Sequence, residues 1–152
     1  MPLPRFIPQY SVADYQSWEG HWELWSGVPV AMSPSSDRRH QYLGGLLVAA
    51  LVQEIRSENC SHCQVLYETD WIADLSTVFR PDILVACDAH DSKFVESPPA
   101  LAVEILSTST RSKDLLYKRE AYESLGVRYY LVVDPEERTT LLLENREGRY
   151  HE

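Results

Sequence analysis

No apolar run in this 152-residue chain approaches the roughly 20 residues that cross a bilayer, which argues against a transmembrane helix. The opening stretch MPLPRFIPQY is broken by proline and lacks the continuous apolar core of a signal peptide, so a cytoplasmic protein without membrane contact is expected. Cysteine is scarce. Cys60, Cys63 and Cys87 are too few and too odd in number for a disulfide framework, and free thiols in a reducing compartment are expected. Positive charge is short as well: 14 Lys and Arg against 23 Asp and Glu leave a net charge of −9. That balance counts against avid, unselective binding to a nucleic-acid backbone, which depends on neutralising phosphates. It leaves room for a local basic patch, for which Arg38, Arg39, Arg111, Lys113, Lys118 and Arg119 are the candidates. Internal repeats and low-complexity segments are absent too.

The 44% hydrophobic and 24% charged residues are those of an ordinary globular protein. The length suits one domain over residues 1–152, with 1–20 as an N-terminal arm carrying a short helix near 11–19. Ser11 can cap that helix, with Asp14 three residues on. Residues 21–32 alternate around Ser26-Gly27 and predict a β-hairpin. Residues 38–57 predict a long helix capped by Ser36 or Asp37, with His40, Leu43, Leu47, Leu51 and Glu54 on one stripe. Gly44-Gly45 weakens that helix or lets another backbone come close. Strands are predicted at 64–72 and 78–87, joined by a turn near Asp74. The apolar run 100–106 reads as a central strand buried on both faces. A second helix over 112–125, stopped by Gly126, leads to strands at 127–134 and 139–144. Strand 100–106, this helix and strand 127–134 form a parallel crossover. The fold class is mixed α/β: a sheet of parallel and antiparallel strands flanked by two long helices.

Three residues carry the chemical signal. Glu104 stands in LAVEIL, where every neighbour is apolar. An ionised carboxylate is costly there without a partner or a metal. Asp82 follows Pro81, which cannot donate to a sheet ladder and so marks a strand start. If the strands holding Asp82 and Glu104 pair, the two carboxylates converge, and a hard divalent cation relieves their repulsion. Lys118 shares a helical stripe with Leu115, Tyr122 and Leu125, so it lies on the face that packs against the sheet. It is read either as a stem whose head snorkels to water or as an ammonium pointing into the carboxylate pair.

These residues, in the segments WELWSGVPVAMSP, RPDILV and LAVEILSTSTRSKDLLYKREAYESLGVRYYLVVDP, resemble the Uma-type restriction-endonuclease family within the PD-(D/E)xK nuclease superfamily. The resemblance implies a restriction-endonuclease-like fold and a metal-dependent endonuclease acting on nucleic acid, DNA ahead of RNA. It implies Mg²⁺ or Mn²⁺ held by Asp82, Glu104 and the backbone of Ile105, with Asp82, Glu104 and Lys118 as the catalytic set. The superfamily's usual lysine lies two residues after the glutamate, where this chain has Leu106. The resemblance places that role on Lys118, in agreement with the stripe. A second departure is the short C-terminus: such proteins are expected to continue beyond the position of Glu152, so the final edge strand is expected to be reduced or missing. A homodimer follows by analogy with enzymes that cut two strands.

Two residues stand in support. Glu23 matches an acidic family position in the first hairpin and could complete the metal shell. His40 reads first as a satisfied core histidine; in a site it would orient phosphate or an acid. The hydroxyl run 107–110 reads as a helix cap. Cys60-Ser-His62-Cys63 has half of a zinc spacing, and with only Cys87 and His90 to complete it, zinc is not the expectation. The competing functions are a non-catalytic binding or assembly module with a vestigial site, and a phosphohydrolase acting on small esters.

Overall fold

The computed structural model describes residues 6–32, 37–88 and 92–152. The short first helix, α1 (Val12–Tyr15), is held by a reciprocal capping box. Ser11 Oγ accepts from the Asp14 amide, and an Asp14 carboxylate oxygen accepts from the Ser11 N–H at 2.8 Å. The hairpin of β1 (Trp22–Trp25) and β2 (Val28–Ala31) turns through Ser26 and Gly27, at φ of 46° and 84°. Two consecutive positive φ values are what a two-residue hairpin turn matched to strand twist requires. Asp37 caps the long helix α2 (Arg38–Ser57), accepting from the His40 amide at 2.8 Å. Ser36, the other predicted cap, lies outside the described residues, as does His90.

The extended stretches predicted at 64–72 and 78–87 each split into two strands. They yield β3 (Gln64–Tyr67), β4 (Trp71–Asp74), β5 (Thr77–Phe79) and β6 (Ile83–Ala86). The breaks have local causes: Glu68 takes φ of 44°, and Pro81 has no N–H to give a ladder. Strands β7 (Leu101–Ile105), β8 (Tyr129–Asp134), β9 (Thr139–Arg146) and β10 (Arg149–His151) follow. Six strands form one sheet in the order β10-β9-β8-β7-β6-β3, in which β7 and β8 run parallel and the other neighbours antiparallel. A second sheet, which the sequence did not predict, has the order β2-β1-β5-β4. The helix between β7 and β8, α3, winds as a π-helix over Lys113–Lys118 and as an α-helix over Arg119–Ser124. Among the described residues no helix is long and apolar enough to cross a membrane.

Side-chain parity on β7 sorts the interior into two layers. Leu101, Val103 and Ile105 pack with Leu43, Leu47, Val48 and Leu51 of α2. Ala102 and Leu106 pack on the other face with Tyr122, Tyr130, Trp71 and Phe79. Glu104 has the parity of the second group, so the strand points it at α3 and the smaller sheet.

Gly44 is buried, and an added Cβ would meet the Ile105 and Tyr67 side chains at 3.7 and 3.8 Å rather than another backbone. Gly45 is exposed and has open space around it. Gly45→Ala is therefore expected to raise the unfolding free energy by about 1 kcal/mol in a urea titration. A loss of stability in that variant would contradict a regular helix at this point.

Candidate active site

Strand register brings the acids together. β6 pairs β7 with Ile83 opposite Val103 and Leu84 opposite Ala102. Continuing by one residue sets Asp82 opposite Glu104, at the mouth of the sheet. The Ile105 amide, beyond the last ladder pair, donates to Asp82 Oδ2 at 2.7 Å. His40 Nε2 meets the same oxygen at 3.2 Å, from the first turn of α2. One oxygen of Asp82 is thus fixed from two sides.

Lys118 sits at the centre of a second group of acids. Its Nζ lies 2.9 Å from Glu104 Oε1, 3.0 Å from Glu23 Oε1 and 3.7 Å from Asp114 Oδ1. Glu104 Oε1 also accepts from the Tyr122 hydroxyl at 2.9 Å. Glu23 is held in turn by the Arg80 amide at 2.7 Å and the Trp25 indole N–H at 3.2 Å. Lys118 keeps 4% of its surface exposed, and Glu23, Glu104 and Asp114 keep 3% each. The lysine does not snorkel; its head is buried.

Every predicted site residue lines one cavity of about 330 Å³: Asp82, Glu104, Lys118, Glu23, His40 and Ile105. Sequence reasoning missed two others, Asp114 and Arg80. Asp114 precedes Lys118 by four residues, a spacing that puts two helical side chains on one face, and that was the available signal. The π-helical turn holds both inward, and the Tyr130 hydroxyl ties its backbone through the Asp114 carbonyl at 2.7 Å. Arg80 lines the cavity and pairs with Asp70 at 2.8 Å; its place at the head of RPDILV, two residues before Asp82, was the available signal.

Burial shapes the proton inventory. It pushes the Glu104 carboxyl well above the usual carboxylate range; Lys118 opposes this, and the charges of Asp114, Asp82 and Glu23 add to it. Burial raises Asp114 to about 6, against the pull of Lys118 and of a Thr110 hydrogen bond. For Lys118, burial disfavours the ammonium, but Glu104 and Glu23 more than compensate and hold its pKa well above the ordinary value. The hydrogen bond to Asp82 raises His40, opposed by its burial. Among the described residues, His40 Nδ1 is buried with no hydrogen-bond partner.

The hydroxyl run bonds within itself: Thr110 Oγ1 accepts from the Ser107 amide at 3.2 Å and Ser107 Oγ lies 3.0 Å from it, while Ser112, at the start of the π-helical turn, makes no side-chain cap bond. Two of the six predicted basic-patch residues are engaged in ion pairs within the protein. Arg111 pairs with Asp134 at 2.6 Å and Lys118 is buried among acids. The expectation of three free thiols is corrected: Cys63 and Cys87 are bonded as a disulfide, because the β3–β6 register places them across from one another, and Cys60 alone is a free thiol.

A family model described as Uma2, "Putative restriction endonuclease", matches residues 12–152. No curated protein sequence matches the chain. Among solved structures it is similar to the crystal structure of "a putative nuclease belonging to DUF820 from Anabaena variabilis ATCC 29413". The TM-score is 0.74 at 12% sequence identity, over 93% of this chain and 83% of that one. At that identity the likeness speaks for the fold, a mixed α/β arrangement shared with a protein described as a nuclease. The family match spans nearly the whole sequence, from the first helix to the last strand, and on it the chain belongs to the Uma2 family.

Proposed function

We propose that this protein is a divalent-metal-dependent endonuclease of the cytoplasm, hydrolysing phosphodiester bonds in nucleic acid and DNA in particular. The observation that carries the reading is the placement of Asp82 opposite Glu104 in a cavity that also holds the buried ammonium of Lys118.

The donor set fits Mg²⁺ or Mn²⁺. It consists of hard oxygens, crowded and partly desolvated, whose mutual repulsion a small dication relieves. Asp82 and Glu104 would hold the ion, with the Ile105 carbonyl, which shares a strand edge with the amide bound to Asp82. When bound, such an ion offsets charge on phosphate and acidifies nearby water. The chain's own groups do the remaining work. His40 and the Ile105 amide orient Asp82. Tyr122 and Lys118 orient Glu104. Lys118 offsets negative charge as phosphate enters and positions the attacking water, while Glu23 keeps the ammonium facing the acids. Arg80 and Lys113 line the same cavity and bring positive charge to it. Two copies of the chain would be needed to cut both strands of a duplex.

Asp82→Asn and Glu104→Gln preserve shape while removing charge. Each is expected to lower Mg²⁺- or Mn²⁺-dependent cleavage of plasmid DNA on the order of 10³-fold, with an unchanged far-ultraviolet dichroism spectrum. Running DNA, RNA and nitrophenyl phosphate side by side checks the substrate class. The reading fails if both variants cut as wild type does, or if only the small ester is hydrolysed.

Asp114 supplies a second test. The fold raises its carboxyl to about 6, so its contribution to stability is present below the unfolded value of about 4 and is lost as pH climbs through 6. Asparagine cannot ionise. Between about pH 4 and about pH 8, the unfolding free energy of Asp114→Asn relative to wild type should move in the variant's favour, on the order of 2 kcal/mol. Chemical denaturation at both pH values measures it; a difference that stays flat contradicts a buried, protonatable Asp114.

A further inference from the structure

The chain carries a second cluster of metal-ligating side chains, at the far end of β6 from the acids. Asp82 precedes β6 and Cys87 follows it. Five residue-to-residue steps of roughly 3.3 Å each put the two ends about 16 Å apart, so the clusters are separate.

Three elements build the second cluster. The chain leaves α2 through Asn59, whose positive φ of 54° reverses it. Cys60-Ser61-His62-Cys63 then forms a tight turn, closed by the Cys63 amide on the Cys60 carbonyl at 3.3 Å. That turn puts two sulfurs on one side. The third arrives by register: Gln64 lies opposite Ala86, so Cys63 lies opposite Cys87. The three Sγ atoms all fall within 4.8 Å of one another. His62 lies beside Cys60, with both ring nitrogens 3.8 Å from its Sγ.

A disulfide satisfies two of three sulfurs. Here it joins Cys63 to Cys87 and leaves Cys60 Sγ pressed against Cys63 Sγ at 2.7 Å, well inside an ordinary sulfur–sulfur contact. A single soft cation at the centre satisfies all three. Zinc–sulfur bonds are about 2.3 Å, so tetrahedral thiolates sit roughly 3.8 Å apart, which the cluster accommodates with small adjustments. The C-x-x-C turn is the usual spacing for half of such a site, and a histidine is a usual fourth ligand. Three thiolates on a dication with neutral imidazole leave one net negative charge. Arg56, which lines a cavity of about 540 Å³ together with Cys60 and Cys63, is placed to offset it.

We propose that, with its cysteines reduced, this protein binds one zinc-class ion through Cys60, Cys63, Cys87 and His62. The ion ties the end of α2 to β3 and to β6, and it is structural, because all four ligands come from the protein. The bonded and metal-bound forms exclude each other, since the disulfide consumes two ligands. In a reducing compartment the metal form is the one that persists.

The test uses the full chain, reduced with a phosphine under anaerobic conditions. The phosphine takes oxygen from water to become its oxide and leaves Cys63 and Cys87 as two thiols. Cobalt(II) is then titrated in, each thiol giving its proton to buffer as it binds. One equivalent should produce strong visible absorption of a tetrahedral centre and a near-ultraviolet sulfur-to-cobalt band. Zinc should abolish both, and excess Mg²⁺ should leave them intact because a hard ion avoids thiolate. Loss of an outer-shell partner alone costs 10- to 100-fold in affinity, so Cys60→Ser and Cys87→Ser should weaken binding by at least about 100-fold. His62→Ala should shift the visible bands. Alkylation followed by mass spectrometry gives a readout that needs no variant: zinc should protect all three cysteines. The proposal is overturned if reduced wild type shows no sulfur-to-cobalt band, if Cys60→Ser binds cobalt as tightly as wild type, or if zinc protects fewer than three cysteines.

Discussion

Lys118 carries its ammonium into the interior and meets Glu104 at 2.9 Å, Glu23 at 3.0 Å and Asp114 at 3.7 Å. The rest of the site is arranged around that contact. Removing a charge from water costs several kcal/mol per ion even after relaxation, and one ammonium cannot balance three buried carboxylates. The fold meets the cost with further hydrogen bonds: Tyr122 on Glu104, the Arg80 amide and Trp25 indole on Glu23. It also meets it with protons, as the raised Glu104 and Asp114 carboxyls indicate. Breaking such a group by removing one member leaves an uncompensated charge, so its members stand or fall together.

Three elements must agree for the contact to form. The β6–β7 register sets Asp82 opposite Glu104. The parity of β7 turns Glu104 away from α2 and toward α3. The π-helical turn then presents Asp114 and Lys118 inward from consecutive turns. Tyr130 reaches from β8 to the Asp114 carbonyl, so the parallel neighbour of β7 also fixes the helix that faces it. A one-residue slip between β6 and β7 would turn the Asp82 side chain to the α2 face and separate the acids.

Much of this was legible in sequence because it rests on local chemistry. An acid inside LAVEIL has few tolerable outcomes, and a lysine on the packing stripe of a helix has few more. The bounds of α2 follow from Asp37 and a clear stripe, and the first hairpin from Ser26-Gly27. What escaped depends on tertiary pairing. The second sheet arises because Glu68 and Pro81 break two runs that read as continuous, and which fragment joins which sheet is decided by partners distant in sequence. Asp114 was passed over because an aspartate in the first turn of a helix is ordinarily solvated and favourable to the helix dipole. Arg80 acts partly through its amide, which no side-chain pattern reveals. Number and spacing of the cysteines in sequence do not pair Cys63 with Cys87; only the β3–β6 register joins them.

The charge balance bears directly on substrate entry. Six carboxylates line the cavity with Lys118, and the chain as a whole carries −9. A phosphate approaching such a surface is repelled unless the local charge is reversed. Lys118 cannot reverse it alone, since its ammonium is already shared among acids. A dication would change that balance. Drawing Asp82 and Glu104 to itself would loosen the Glu104 grip on Lys118 and release positive charge toward the cavity. On this view the buried lysine and the acids proposed to hold the metal form one balanced set. Under the proposed function, the protein would meet its polyanion only with the cation present, and general electrostatic attraction would contribute little to binding.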